Sequence, residues 1–374
     1  MKLEIFEMER LQSKWENRVQ YNLSESGIHP LSLKELLSED EVDELLSLRL
    51  GYNQTNGTEA LREKISHLYP GTDADNILVT NGSAEANFIS IWSQIEPGDE
   101  LIFMVPNYMQ IWGLARSLAA VVKPFHLRQE LNWAPDLEEL KQLISSRTKM
   151  IVLCNPNNPT GATLSEKSME EIVRLAENVG AWILCDEVYR GAELTGEETP
   201  TFWGCYEKVI VSHGLSKAYS LPGLRIGWSI GPKKLIETSW AYHDYLTIAP
   251  GIMSDRLARL ALEPEMRRKI LARSRKILTA NLNSLKAWLN RYPDLFELVP
   301  PRAGAIAFIR YNLEINSTQL VMKLLHEKSV LVVPGNCFGL DHFIRLGYGV
   351  EKDYLLAGLG LIDETLRELS DHAR

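Results

Sequence analysis

Residues 150–186 read MIVLCNPNNPTGATLSEKSMEEIVRLAENVGAWILCD, and this stretch decides the architecture. An apolar run, Met150 to Leu153, gives way to a turn rich in Pro and Asn. A second apolar run, Trp182 to Leu184, closes the segment. The stretch between them is long enough for a helical crossover, so the two runs read as parallel strands covered on both faces. Working outward, similar runs occur at Ile77-Leu78-Val79, Leu101 to Val105, Ala120-Val121-Val122 and Val209-Ile210-Val211, with helical periodicity between them. That alternation predicts an α/β domain with a mostly parallel sheet.

Beyond these runs the pattern changes. Residues 232–290 read as mainly helical, including Arg267 to Leu289 with Ile270, Leu271, Ile277, Leu278 and Leu285 on one side. Later, short strands at 295–299, 306–309, 330–333 and 342–346 mix with helices at 317–327 and 351–369. Phe6, Leu11, Trp15 and Val19 recur at helical spacing and predict an amphipathic N-terminal arm. The expected division is a large domain over 46–285 and a smaller α+β domain from 1–45 with 286–374.

Composition excludes several classes. With 374 residues, 45% hydrophobic and 24% charged, the chain can bury a large core. A net charge of -9 argues against a nucleic-acid surface. The charged N-terminus has no signal-peptide core, and no apolar run reaches membrane-spanning length. Cys154, Cys185, Cys205 and Cys337 form no CxxC pair, so neither a zinc site nor disulfides are expected. A reduced, cytoplasmic protein is the expectation.

One lysine stands out by context. Lys217 lies in Ser212-His213-Gly214-Leu215-Ser216-Lys217-Ala218-Tyr219-Ser220-Leu221-Pro222-Gly223-Leu224-Arg225-Ile226-Gly227, after a buried-looking strand. Open α/β sheets place ligands at that edge. Arg225 supplies a fixed cation able to hold phosphate, and a nearby cation is expected to depress the Lys217 pKa. A Gly-rich turn with two surface cations is the plain alternative.

The run from Ser216 to Gly227 resembles the cofactor-lysine signature of the class I/II aminotransferases, which are fold-type-I pyridoxal-phosphate enzymes. Five further motifs appear in that family's order: Asn81 to Ala86, Pro106-Asn107-Tyr108, Asn155 to Gly161, Cys185 to Tyr189, and Phe343-Ile344-Arg345. The resemblance covers almost the whole chain. It implies a large domain with a mostly parallel seven-stranded sheet between helices. It also implies a homodimer with a shared active site, taking an amino acid and a 2-oxo acid.

It assigns roles as well. Lys217 would carry pyridoxal 5′-phosphate as a Schiff base and act as general base. Ser83 and Ala84 would offer backbone N–H groups to the phosphate at a helix start, with Arg225 and Ser216 beside them. Tyr108 would lie against the cofactor ring. Asn158 and Tyr189 would bond its phenolic oxygen, and Asp186 would keep its ring nitrogen protonated. Arg345 would clamp the substrate carboxylate with Asn158, and Gly27 would pack over the substrate. Tyr52 would reach the neighbouring subunit's phosphate. Many relatives have a hydroxyl residue where Gly214 stands; Ser216, or else Ser212, would take that contact.

Other outcomes use the same fold. Elimination and cyclisation remain open, and SGIHPL with LVVPGNCFG gives a fainter similarity to capreomycidine synthase, which cyclises an arginine derivative. Glu25 beside Gly27 reads as a solvated loop residue or as a partner for a cationic side chain. No arginine stands at an obvious second-carboxylate position. A non-catalytic DNA-binding regulator would need a helix-turn-helix ahead of Tyr21, and the arm is short and not basic. Gly358-Leu359-Gly360 sits in a helical pattern and makes no nicotinamide fingerprint.

Overall fold

In chain order the strands are β1 (Tyr21–Asn22), β2 (Ile77–Thr80), β3 (Glu100–Val105), β4 (Val121–Arg128), β5 (Ala134–Pro135), β6 (Thr148–Cys154) and β7 (Trp182–Asp186). They continue with β8 (Val209–Gly214), β9 (Gly227–Ile230), β10 (Phe296–Leu298), β11 (Ile306–Tyr311), β12 (Val330–Leu331), β13 (Val333–Pro334) and β14 (Phe343–Gly347). They come from a computed structural model that describes residues 2–372.

Side-chain alternation explains the central sheet. Ile77, Val79, Ile102, Met104, Ile151, Leu153, Ile183, Val209 and Val211 enter one apolar cluster. Their neighbours Leu78, Leu101, Phe103, Met150, Val152, Leu184 and Ile210 enter another. Both faces are therefore dry, which is why these runs lack polar alternation. Each fully buried aliphatic side chain contributes roughly 1.5–3 kcal/mol relative to exposure. The helices Ser83–Gln94, Gln110–Ser117 and Lys233–His243 cover the second face. Glu166–Val179, Ile252–Ala261 and the long Pro264–Leu289 contribute to the first.

The strand order is β2-β9-β8-β7-β6-β3-β4-β5. Parallel pairing joins β4, β3, β6, β7 and β8, while β9 runs antiparallel to both β8 and β2. Seven long strands are present, and the two-residue β5 adds an eighth at the edge beside β4. β9 is missing from the sequence-based reading because Gly227 and Ser229 interrupt its apolar character. β4 also differs: it extends well past Val122 and is exposed at its start, because its outer neighbour is only β5.

A second, antiparallel sheet has the order β10-β11-β14-β13. The helices Ser317–Lys328 and Lys352–His372 accompany it. β1 pairs in parallel with β12, tying the N-terminal segment to this C-terminal unit. Ahead of β1, the arm is helical over Glu7–Trp15.

Candidate active site

Most of the candidate residues lie within a few positions of a strand's carboxyl end. β2 ends at Thr80, β3 at Val105, β6 at Cys154, β7 at Asp186 and β8 at Gly214. The turns that follow carry Ser83, Tyr108, Asn158, Tyr189, Ser216 and Lys217. These six, with Ala84, Asp186 and Arg225, line one cavity of about 340 Å³. A larger cleft of about 1190 Å³ opens between β4 and the C-terminal sheet, but among the described residues no lysine lines it.

One end of the cavity suits an anion. Gly82 caps the helix Ser83–Gln94 at φ 84°, leaving the first backbone N–H groups without helical partners. A Cβ on Gly82 would overlap the Arg225 guanidinium, and one on Gly227 would overlap the Gly82–Ser83 backbone. Glycine at these two positions is what lets helix start and guanidinium meet. Arg225 Nη1 donates to Ser216 Oγ at 3.3 Å. Backbone donors, a guanidinium and a hydroxyl together make a phosphate-type cradle. Gly214 cannot bear a hydroxyl, because a Cβ there would come within 2.8 Å of the Ile226 carbonyl oxygen. Ser212 Oγ points elsewhere, donating to Asn87 Oδ1 at 2.6 Å.

At the centre, Lys217 Nζ donates to Glu25 Oε1 at 3.0 Å. Burial, the largest single influence, lowers the lysine pKa, but Glu25, by charge and hydrogen bond, and Tyr189 together outweigh it and the amine is held above its ordinary value. The expected depression by a neighbouring cation is thus reversed. Glu25 is correspondingly lowered to about 2, chiefly by the Lys217 charge, and its Oε1 also accepts from the Gly27 N–H at 2.8 Å. Glu25 is therefore an ion-pair partner of the Lys217 amine and not a free loop carboxylate. Nearly half of its side chain nonetheless remains open to solvent.

Asp186 is 7% exposed, and burial raises its pKa. Asn87 Nδ2 donates to its Oδ2 at 2.9 Å and the Val188 N–H to its Oδ1 at 3.0 Å. Asn87, one turn inside the Ser83–Gln94 helix, escapes the sequence reading. Its only signal is a polar residue at a buried position within an apolar helix.

Arg345 on β14 is fully buried, and burial lowers its pKa. Its partners are neutral: Asn158 Oδ1 at 3.1 Å, the Ser24 carbonyl at 2.7 Å and Met8 Sδ at 3.2 Å. Arg345 Nε and Tyr189 Oη are buried without a hydrogen-bond partner of normal geometry among the described residues. A buried guanidinium whose hydrogen-bond partners are all neutral can still take up an anion, although the charges of Glu25 and Glu9 also act on it.

The arm closes the opposite side. Glu9, Gln12 and Glu16, on the helix Glu7–Trp15 and its C-cap, line the cavity with Glu25 and Ser26. Tyr108 Oη donates to Glu9 Oε1 at 2.9 Å, and its ring meets Phe6 edge-on at 4.9 Å. The amphipathic pattern predicts this helix, but not that its polar face turns inward. Tyr52 is 93% exposed and lies outside its own chain's cavity.

A family model for class I and II aminotransferases matches residues 33–359. The chain is 31% identical to capreomycidine synthase of Streptomyces vinaceus, over 94% of this chain and 90% of that one. It is 28% identical to an aspartate aminotransferase of Streptomyces avermitilis, over 80% and 76% of the two chains. Among solved structures, a PLP-dependent aminotransferase from Streptococcus suis superposes with a TM-score of 0.93 at 37% identity, covering 99% of each chain.

Proposed function

Because the chain belongs to the class I and II aminotransferase family and depends on pyridoxal 5′-phosphate, we propose that it transfers an amino group between an α-amino acid and a 2-oxo acid. The observation that carries this reading is the convergence of Lys217, Asp186, Asn158, Tyr189 and Arg225 on one cavity. The residues fit the cofactor on chemical grounds. The cradle of Ser83, Ala84, Ser216 and Arg225 suits a phosphate, and Asp186 is a desolvated carboxylate whose bonded partners are both neutral. When bound, the cofactor supplies an aldehyde for an amine and an electron-withdrawing ring.

The chain's own residues do the rest. Arg345 and Asn158 hold the substrate carboxylate and so fix which face of the α-carbon meets the base. Lys217 Nζ anchors the cofactor and moves the α-proton. Asp186, kept in place by Asn87, favours a protonated ring nitrogen. Tyr189 Oη is free to donate to the cofactor's phenolic oxygen.

A homodimer belongs to this reading. Leu46, Leu50, Tyr52 and Tyr245 are each more than three-quarters exposed, which is a strongly apolar surface for a monomer. The segments carrying them are linked, since Arg256 pairs with Glu44 and Trp240 Nε1 donates to Thr55 at 2.7 Å. Tyr52 would then serve the neighbouring site. Four unpaired thiols suit a cytoplasmic setting. A second reading, cyclisation on the same scaffold, is favoured by the identity with capreomycidine synthase.

Oxo-acid release from a panel of amino acids, with and without an added 2-oxo acid acceptor, tests the proposal. Acceptor-dependent turnover supports transamination. Consumption of the amino acid without an acceptor supports the second reading.

A further inference from the structure

The turn ahead of the phosphate-type cradle is pinned from a segment far away in sequence. Asn81 and Gly82 lead into the helix Ser83–Gln94, and the Thr80 hydroxyl donates to the Gly82 carbonyl at 2.9 Å. Glu85 Oε2 accepts from the Asn81 N–H at 2.6 Å. The Asn81 side chain reaches the other way, donating from Nδ2 to Thr247 Oγ1 at 2.7 Å. Thr247 in turn donates to Glu85 Oε1 at 2.7 Å, which closes a ring of three residues. His243 Nε2 lies 3.1 Å from the same hydroxyl. A hydroxyl has one proton and two lone pairs. With the proton given to Glu85, Thr247 accepts from both Asn81 and His243, and its capacity is full.

Glu85 is a firm anchor for this ring. Its side chain is only 9% exposed. Burial raises its pKa, but hydrogen bonds from His243, the Asn81 N–H and Thr247 outweigh burial and hold it below its ordinary value. The loop on the far side of the ring is strained. Ile248, directly after Thr247, sits at φ 68°. A β-branched residue in the left-handed region persists only where its surroundings over-determine it. Thr247 does not line the cavity, and it is exposed in the single chain beside Tyr245 of the apolar surface. The first free N–H groups of the helix follow Asn81 and Gly82 directly, so holding Asn81 fixes where they point.

Resting on the cofactor cradle assigned above, we infer that Thr247 is a positioning residue for the cofactor's phosphate. Through Asn81 and Glu85 it sets the turn from which the Ser83 and Ala84 N–H groups project.

Pyridoxal 5′-phosphate and pyridoxal separate this role from a merely structural one, because only the first has a phosphate. Each is titrated into the cofactor-stripped full chain, and the change in visible absorbance gives a Kd. Thr247→Val keeps the shape and removes the hydroxyl. It should weaken pyridoxal 5′-phosphate roughly three- to tenfold, the scale of a lost hydrogen bond, and leave pyridoxal within about twofold. Thr247→Ser should restore wild-type behaviour. Asn81→Ala severs the same tie from its other end and should match Thr247→Val, so it carries the test if the valine variant fails to fold. Equal losses for both ligands, or no loss for either in a folded variant, overturn the proposal. Arg225→Met is the control for the cradle itself. If it lowers the preference for the phosphorylated ligand while Thr247→Val does not, only the role of Thr247 falls. If the preference survives in Arg225→Met, the cradle assignment falls with it.

Discussion

The two sides of the active-site cavity are built by different means. On the cradle side, Ser83, Lys217, Asp186 and Arg225 hang from the ends of β2, β8 and β7 or the start of β9, and the ladder fixes their backbone. On the arm side, Glu9, Gln12 and Glu16 ride on a nine-residue helix held largely by side-chain contacts. Gln12 Nε2 donates to the Ser24 carbonyl at 3.0 Å, and Tyr108 reaches Glu9. On the proposed reading, the ladder-held side serves chemistry common to every substrate, and the arm side contributes to choosing among substrates. Substitutions on the cradle side should therefore abolish turnover of all amino acids alike, and substitutions on the arm side should alter preference.

The sharpest way to break that contrast is Lys217→Ala. Loss of the anchoring amine and base should reduce turnover by on the order of 10³-fold or more for every amino acid tested. The cofactor's visible absorbance should no longer stay with the protein through gel filtration at the wild-type wavelength. An unchanged spectrum would remove Lys217 from its role.

Arg345→Met probes the boundary between the two sides. Arg345 contributes a charge-assisted clamp of about 1.5–3 kcal/mol, so KM should rise roughly 10- to 150-fold with little loss in kcat. Because the guanidinium is buried among neutral partners, removing its charge should cost little thermal stability. A large drop in melting temperature with an unchanged KM would make the residue structural.

Tyr52→Phe tests whether the cradle is completed from outside the chain. Losing one hydrogen bond to a charged group should weaken cofactor retention by about tenfold. Mixing it with Lys217→Ala should give more activity than the two separately, since a mixed dimer regains one intact site. An additive mixture argues for self-contained sites.

The same contrast explains what the sequence discloses. Buried strands announce themselves because both faces are apolar, and glycines such as Gly82 and Gly227 stand where no Cβ fits. Lys217, Asp186 and Arg225 follow those landmarks at short range, so chain order locates them. Asn87 and Glu16 do not. Asn87 matters only because its helix packs against β8, which places it beside Asp186. Glu16 matters only because an amphipathic arm docks with its carboxylates inward. β9 is hidden for a related reason, since Gly227 makes room for the Gly82–Ser83 turn and, with Ser229, breaks a recognisable apolar run.

The Lys217–Glu25 pair spans the two sides, and its pH response is the smallest effect expected. In the cofactor-free fold the Glu25 carboxyl lies at about 2, against about 4.3 in an unfolded chain. Because the folded value is the lower one, its stabilisation is complete above the unfolded value and disappears as pH falls from about 5 toward 2. Lys217 is shifted upward, so its share is present at neutral pH and is lost only as pH rises beyond the ordinary lysine range, about 10.4. The Glu25 side chain is 45% exposed, and solvent screening keeps the gain modest. The urea midpoint of cofactor-free wild type should therefore exceed that of Glu25→Gln at pH 7, with the gap narrowing below about pH 5 and closing only near pH 2. A gap that stays constant across this range would mean that the carboxylate's charge does not hold the amine, and that the arm and the sheet edge act separately.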